Sequence, residues 1–248
     1  MDSTVPIEII EVIRRSTQGV TKPFICRGDN GKIYFVKGEG AGRHSLVSEW
    51  IAGHLALALD IPIAPFSLVS VPEELLLANS IFDLSDLGIG YAFGSEECSV
   101  SELTFSRVEQ VPIEVQQRVL AFDWWVHNED RTLSAQGGNP NLFWDETNKQ
   151  LVVIDHNQAF DHSFDAATFV STHVFGQQWA VIAQSDELQA TLTQQMQSAL
   201  GAWQNIVQSI PNAWWYLDAE QTVLAQIDPQ HMFSHLNRVS EKYFWRLP

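Results

Sequence analysis

Three side chains stand out by chemical type and by order along the chain: Asp130, then Asn141, then Asp155. Asp130 sits with Arg131 where the aromatic, helix-like run "DWWVH" breaks into "NEDR". Asn141 lies in "NPNLFW", at the head of a short apolar run, and Asp155 closes another, "LVVID". Oxygen donors are thus placed at the mouths of hydrophobic segments. In phosphoryl transfer one Asp orients or deprotonates the attacking hydroxyl, while an Asn and a second Asp hold Mg2+ on the phosphates. Asn and Asp are also common cap and turn residues, so the set gains weight from its order and from the residues that precede it.

The first of these is Lys37, which ends the apolar strand-like run "IYFVK". Glu49 follows in a stretch, Ser45–Leu59, that is apolar on almost every face. A carboxylate in such a helix is costly unless paired, and Lys37 is the candidate partner. A strand lysine held by a helix glutamate is a device for gripping nucleotide phosphates. Upstream, "RRSTQGVTKP" places one glycine, small hydroxyl residues and a lysine in a turn between strands, where backbone N–H groups can cover phosphates. It matches neither GxGxxG nor the P-loop pattern.

The elements needed to position these groups can be read from periodicity and turn chemistry. Ile7–Arg15, Lys22–Arg27 and Lys32–Lys37 are predicted as strands, with Asp29-Asn30-Gly31 as the second turn. Ser45–Leu59 is predicted as a helix, broken by Pro62 and Pro65 before an extended run Phe66–Val71. Pro72 opens a short helix, "PEELLLAN", and Pro112 a longer one from Ile113 to about His127, with His127 as its C-terminal cap. Asn141–Trp144 and Leu151–Asp155 form a hairpin about the turn "DETNKQ". That hairpin accounts for the separation of 14 residues from Asn141 to Asp155, because it returns the chain so that both can face one metal ion. Helices are expected over Asp186–Ile210, Asp218–Ile227 and Pro229–Trp245. The stretch "FDLSDLGIGYAFGSEE" reads as a connector between lobes that can contact adenine through its backbone. The nine tryptophans read as core residues.

Composition narrows the function classes. The chain has 248 residues and a net charge of −16, from 30 acids against 14 bases. Nucleic acid and an anionic membrane surface are therefore not expected as main partners, since phosphate backbones require clustered Lys and Arg. Cys26 and Cys98 form no disulfide or metal pattern. With no basic, apolar leader at "MDSTVPIEII" and no run approaching the ~20 residues of a membrane span, a cytoplasmic setting is expected. A competing constellation, Asp155, His156, Asp161, His162 and Asp165, could serve a metal-dependent hydrolase, although its spacing matches no strong ligand motif.

The residues "HNEDR…NPNLFWD…LVVIDH" resemble the core of the HipA-like kinases, with their N-x-D-R motif, an Asn and a metal-binding Asp, and more distantly the phosphatidylinositol kinases. The resemblance extends to "STQGVTKPF", "YFVKG" and "LVSEWIAGHLALALDIPIAP", about residues 10 to 165. It implies an α+β, two-lobed protein-kinase-like fold. Residues 1–98 would be a small, mainly antiparallel β N-lobe with one helix that binds nucleotide, and residues 99–248 a mostly helical C-lobe. It implies ATP and Mg2+ as cofactors and a hydroxyl acceptor, a protein Ser/Thr or a small molecule.

Carried over by position, Lys37 would contact ATP phosphates and Glu49 would hold it. Asp130 would be the catalytic Asp, with Asn128 and Arg131 shaping its loop, and Asn141 and Asp155 would bind Mg2+. The turn from Ser16, comprising Thr17, Gln18, Gly19, Val20 and Thr21, would cover the phosphates. The pattern departs from the usual five-residue spacing between Asp and Asn: Asn141 is eleven residues on and Asn139 nine, so "LSAQGG" must loop out. Either Asn could be the ligand; Asn141 is favoured because an apolar strand follows it. With the nucleotide lobe opening the sequence, the extra N-terminal segment of the toxin kinases is not expected, and toxin activity is not implied. A nucleotide-binding pseudokinase is the alternative that the long loop motivates.

Overall fold

A computed structural model describes residues 5–17, 22–78 and 82–247. The chain divides into two compact units, each discontinuous in sequence. The first comprises 1–47, 64–99 and 210–227, the second 48–63, 100–209 and 228–248. Relative to a single cut near residue 98, residues 48–63 and 210–227 change sides.

The first unit is a closed barrel of five strands in the order β1-β2-β3-β5-β4: β1 (Ile7–Arg15), β2 (Phe24–Gly28), β3 (Ile33–Lys37), β4 (Phe66–Val71) and β5 (Gly90–Glu96). Antiparallel pairs run β1-β2-β3-β5-β4, and the parallel pairing of Ile7 with Val69 and Glu8 with Ser70 closes the ring. Alternate residues point inward, so Ile9, Val12, Cys26, Tyr34, Val36, Val69 and Ala92 form the barrel core. The turn Asp29-Asn30-Gly31 joins β2 to β3, and Gly31 adopts the positive φ of 78° that such a turn requires. Strand β5 corrects the sequence reading, in which residues 82–97 were a connector. Gly94 lies on it where a side chain would collide with Val69, so a stretch that reads as loop because of its glycines is a central strand.

Helix α1 (Arg43–Ala58) spans the division between the units. Its apolar surround is explained by burial: Leu46, Val47, Ile51, Ala52, Leu55 and Ala56 are all fully enclosed. The short α2 (Glu73–Ala78) follows Pro72, as predicted.

The second unit is built on α3 (Ile113–Val126), every residue of which from Gln116 is buried except Arg118. It ends at His127, which caps it in a left-handed conformation (φ 54°). The carbonyls exposed at that end are met from α8 (Pro229–Asn237) and the turn after it. Arg238 donates to Trp124 O at 2.7 Å and Trp125 O at 3.0 Å, and His235 Nε2 lies 3.0 Å from Trp125 O. Strands β6 (Ser101–Glu102), β9 (Leu142–Asp145) and β10 (Gln150–Val153) form a sheet in the order β10-β9-β6. Between α3 and β9 lies a small hairpin, β7 (Thr132–Ser134) with β8 (Gly137–Asn139), so the inserted "LSAQGG" does loop out.

The remaining helices are α4 (Ala166–Thr172), α5 (Trp179–Gln184), α6 (Asp186–Leu200) and α7 (Trp203–Gln208). The helix expected over 186–210 is therefore interrupted at Gly201. That expected over Asp218–Ile227 is absent: Asp218 accepts from the backbone N–H of Thr222 and Val223 and from the Thr222 hydroxyl, which folds the segment into turns. The helix expected over Pro229–Trp245 ends at Asn237. Among the described residues no helix is long and apolar enough to cross a membrane. Cys26 and Cys98 are free thiols.

Candidate active site

The side chain that organises the loop after α3 is Asp123, in the last turn of that helix and fully buried. Asn128 Nδ2 donates to its Oδ1 at 2.8 Å, and the Asn128 N–H donates to its backbone carbonyl at 2.9 Å. Arg131 Nε donates to its Oδ2 at 2.7 Å, with a longer contact to Oδ1. His173, just past α4, brings Nε2 to 3.1 Å of Oδ2. The Phe175 N–H donates to His173 Nδ1, so Nδ1 carries no proton and Nε2–H is the donor to Asp123. Burial alone would raise the Asp123 pKa, but the charge of Arg131 and the bond from His173 outweigh it and hold the group well below the usual carboxylate range.

Arg131 then fixes the positions of the other two sequence-predicted residues. Its guanidinium is fully buried and, besides Asp123, donates to the carbonyls of Pro140 at 3.3 Å, Asn141 at 3.1 Å and Ile154 at 3.1 Å. Burial works against its charge and Asp123 outweighs that cost, so the guanidinium stays protonated. Asn141 and Asp155 lie at the same end of the β9–β10 hairpin, where Ile154 N–H bonds Asn141 O at 3.1 Å. Both residues are in left-handed conformations, φ 49° and 58°. Asn and Asp tolerate that region best after glycine, and the turn carries both out of the ladder at one edge.

Asp130 is in a different state. Asn141 Nδ2 donates to its Oδ2 at 3.0 Å, while its Oδ1 is buried with no hydrogen-bond partner. Desolvation, with Asp155 and Asp123 nearby and only partly offset by Arg131, raises its pKa to about 6. Because the carboxylate takes the amide's N–H, the oxygen of Asn141 is the atom left to meet a cation. Carboxylate and amide oxygens form the donor set that a hard divalent ion such as Mg2+ requires, so the residues present fit that ion.

Other predicted residues fall as follows. Lys37 is the last residue of β3, buried, in the barrel unit; Glu49 is buried in α1, in the second unit. Thr17 is exposed beside buried Ser16, and Gln18, Gly19, Val20 and Thr21 lie outside the described residues. Asn139 ends β8 and is exposed. The competing acid–histidine constellation is used elsewhere. Asp161 accepts from Ser163, Asp165 caps α4 through Thr168 N–H, and His156 is buried edge-on to Phe122. Among the described residues no group of three or more His, Cys, Asp or Glu could hold a metal.

Sequence reasoning missed Asp123 and His173. Asp123 was detectable as the lone charge in "LAFDWWV", by the same argument that marked Glu49. His173 lies 42 residues beyond Arg131, and nothing in its local sequence points to Asp123.

A family model described as HipA-like kinase matches residues 9–248. Similar solved structures include the Helicobacter pylori proinflammatory kinase CtkA, at 12% identity and a TM-score of 0.49, covering 96% of this chain and 93% of that one. A Golgi casein kinase determined with Mn/ADP bound shows 12% identity and a TM-score of 0.46, covering 95% and 71%. No curated protein sequence matches. A match from residue 9 to the last residue places this protein in the HipA-like kinase family, whose members are phosphotransferases.

Proposed function

We propose that this kinase transfers the γ-phosphoryl group of ATP to a hydroxyl, with Mg2+ as the metal and a protein Ser or Thr as the favoured acceptor. The observation that carries the reading is Asp130. A carboxylate whose pKa lies near 6, with one oxygen held by Asn141 and the other buried and unpartnered, is poised to accept a hydrogen bond and then a proton from an attacking hydroxyl. Asn141 and Asp155 would hold Mg2+, which when bound spreads the charge of the transferring phosphoryl group. Arg131 keeps both ligands' backbones in place and contributes no proton. Asn128 fixes the start of the loop on Asp123. Lys37 is assigned to the nucleotide phosphates and Glu49 to its counter-charge. The barrel unit is thereby the nucleotide-binding part. A cytoplasmic setting suits an ATP-dependent enzyme with free thiols.

The test is Asp130→Ala. Transfer from radiolabelled ATP, to a protein panel or to the chain itself, should be lost, while the dissociation constant for ATP stays within a few-fold. Full transfer by the variant would remove Asp130 from this role. Wild-type nucleotide binding with no transfer under any acceptor would favour the pseudokinase alternative.

A further inference from the structure

The barrel unit contains a small pocket whose charge is opposite to that of the chain as a whole. Arg15, Lys22 and Lys37 line it, together with Gly38 and Gly40, and the one acid among its lining residues is Asp86. Three of the 14 basic side chains thus converge on one site in a protein that carries 30 acids. Asp86 is bonded to Arg15, the last residue of β1. Arg15 is held from two further directions: its Nε donates to Lys22 O at 3.1 Å, and its guanidinium stands over the Phe24 ring at 4.9 Å. Its position is therefore set by the barrel and does not depend on Asp86 alone.

Asp86 is presented to the pocket by the backbone after β3. Gly40 N–H donates to Asp86 O at 2.7 Å and Glu39 N–H to Leu87 O at 3.2 Å. A Cβ at Gly40 would sit 2.6 Å from Asp86 Cβ, and one at Gly38 1.8 Å from Leu87 O. The two glycines of "KGEG" let the Asp86 segment lie directly against the chain leaving Lys37. The pair remains accessible: the side chains of Arg15 and Asp86 are 36% and 47% exposed.

We propose that this pocket is a polyphosphate site in which Arg15 is a phosphate ligand and Asp86 its resident counter-ion, displaced when the phosphates of a nucleoside triphosphate enter. The inference rests on the functional reading above and extends it to two residues that reading does not use. A guanidinium pre-set on an aromatic ring is suited to bidentate phosphate recognition. An ion pair this exposed is weak, so a polyanion with several charges replaces it readily. Removing the acid should then strengthen binding, whereas removing a merely structural acid would weaken it.

The experiment titrates sodium tripolyphosphate calorimetrically in EDTA, which keeps divalent metal out of the measurement, against wild type, Asp86→Asn, Arg15→Gln and the double variant. Asp86→Asn should tighten binding by up to about fivefold, the factor an exposed ion pair corresponds to. Arg15→Gln should weaken it about tenfold, as loss of a charge-assisted hydrogen bond does. In the Arg15→Gln background the Asp86 substitution should change nothing. Equal weakening in both single variants, or wild-type binding in both, would overturn the proposal, as would wild type that responds to Mg-ATP and not to tripolyphosphate. Wild type that responds to neither would instead remove the functional reading, and this inference with it.

Discussion

Two carboxylates seven residues apart, Asp123 and Asp130, sit in opposite electrostatic states. Asp123 is fully enclosed, accepts from Asn128, Arg131 and His173, and titrates far below its usual range. Asp130 is less enclosed, has one oxygen bonded and one orphaned, and titrates up near 6. Burial raises both; what differs is the supply of donors. Arg131 makes its carboxylate hydrogen bonds to Asp123 alone, and its remaining N–H groups go to backbone carbonyls. A buried acid with every lone pair met is architecture, whereas a buried acid left short of partners is available for chemistry.

That contrast can be broken most forcefully at Asp123. Asp123→Ala leaves the Arg131 guanidinium and the Asn128 amide enclosed without their acceptor, a loss of about 3–5 kcal/mol. At roughly 2–4 °C per kcal/mol for a chain of this size, the midpoint of thermal unfolding should fall by about 10 °C. A change under a degree or two would mean that Asp123 does not carry the loop.

Asp130→Asn should act in the opposite direction. The folded pKa, about 6, lies above the ~3.9 of an unfolded Asp, so wild type is most favoured below pH 4 and loses that contribution as pH rises through 6. The Asn variant should accordingly be more stable than wild type at pH 8, on the order of 2 kcal/mol, and match it near pH 4. With Asp130 as the proposed base, phosphoryl transfer by wild type should climb through pH 6 and level off above 7. A variant no more stable at pH 8 than wild type would show that Asp130 is already satisfied.

The smallest effect is expected at His173→Gln, where an amide can still donate to Asp123 while the bond from Phe175 N–H is lost. About 1 kcal/mol of stability should go, with transfer kept within a few-fold. Loss of transfer without loss of stability would move His173 from the floor of the loop into the chemistry.

The legible part of this molecule was the part written in local pattern. Strands β1 to β3 announce themselves through alternation and the Asp29-Asn30-Gly31 turn, and the β9–β10 hairpin through its two apolar runs. Asp130, Asn141 and Asp155 could be singled out as candidates because their side-chain chemistry is specific and they follow one another in order. Asn141 and Asp155 indeed end one hairpin, at a single edge. Strand β5 was hidden by its glycines, of which Gly94 fits the barrel's close approach to Val69. The segment Asp218–Ile227 carried a helical look that the Asp218 side chain overrides by capturing backbone N–H groups. His173 and Asp86 could not be read at all, because each acts on a residue far away in sequence, Asp123 and Arg15.

The central claim, that Asp155 and Asn141 hold a metal on bound nucleotide, is tested most directly by unfolding wild type and Asp155→Asn with and without Mg-ATP. At 100 times the dissociation constant a ligand adds about 2.7 kcal/mol, or several degrees for this chain at roughly 2–4 °C per kcal/mol. The account predicts that rise in wild type and most of it gone in Asp155→Asn, with the ligand-free midpoints close together. An equal rise in both proteins, or none in wild type, would contradict it.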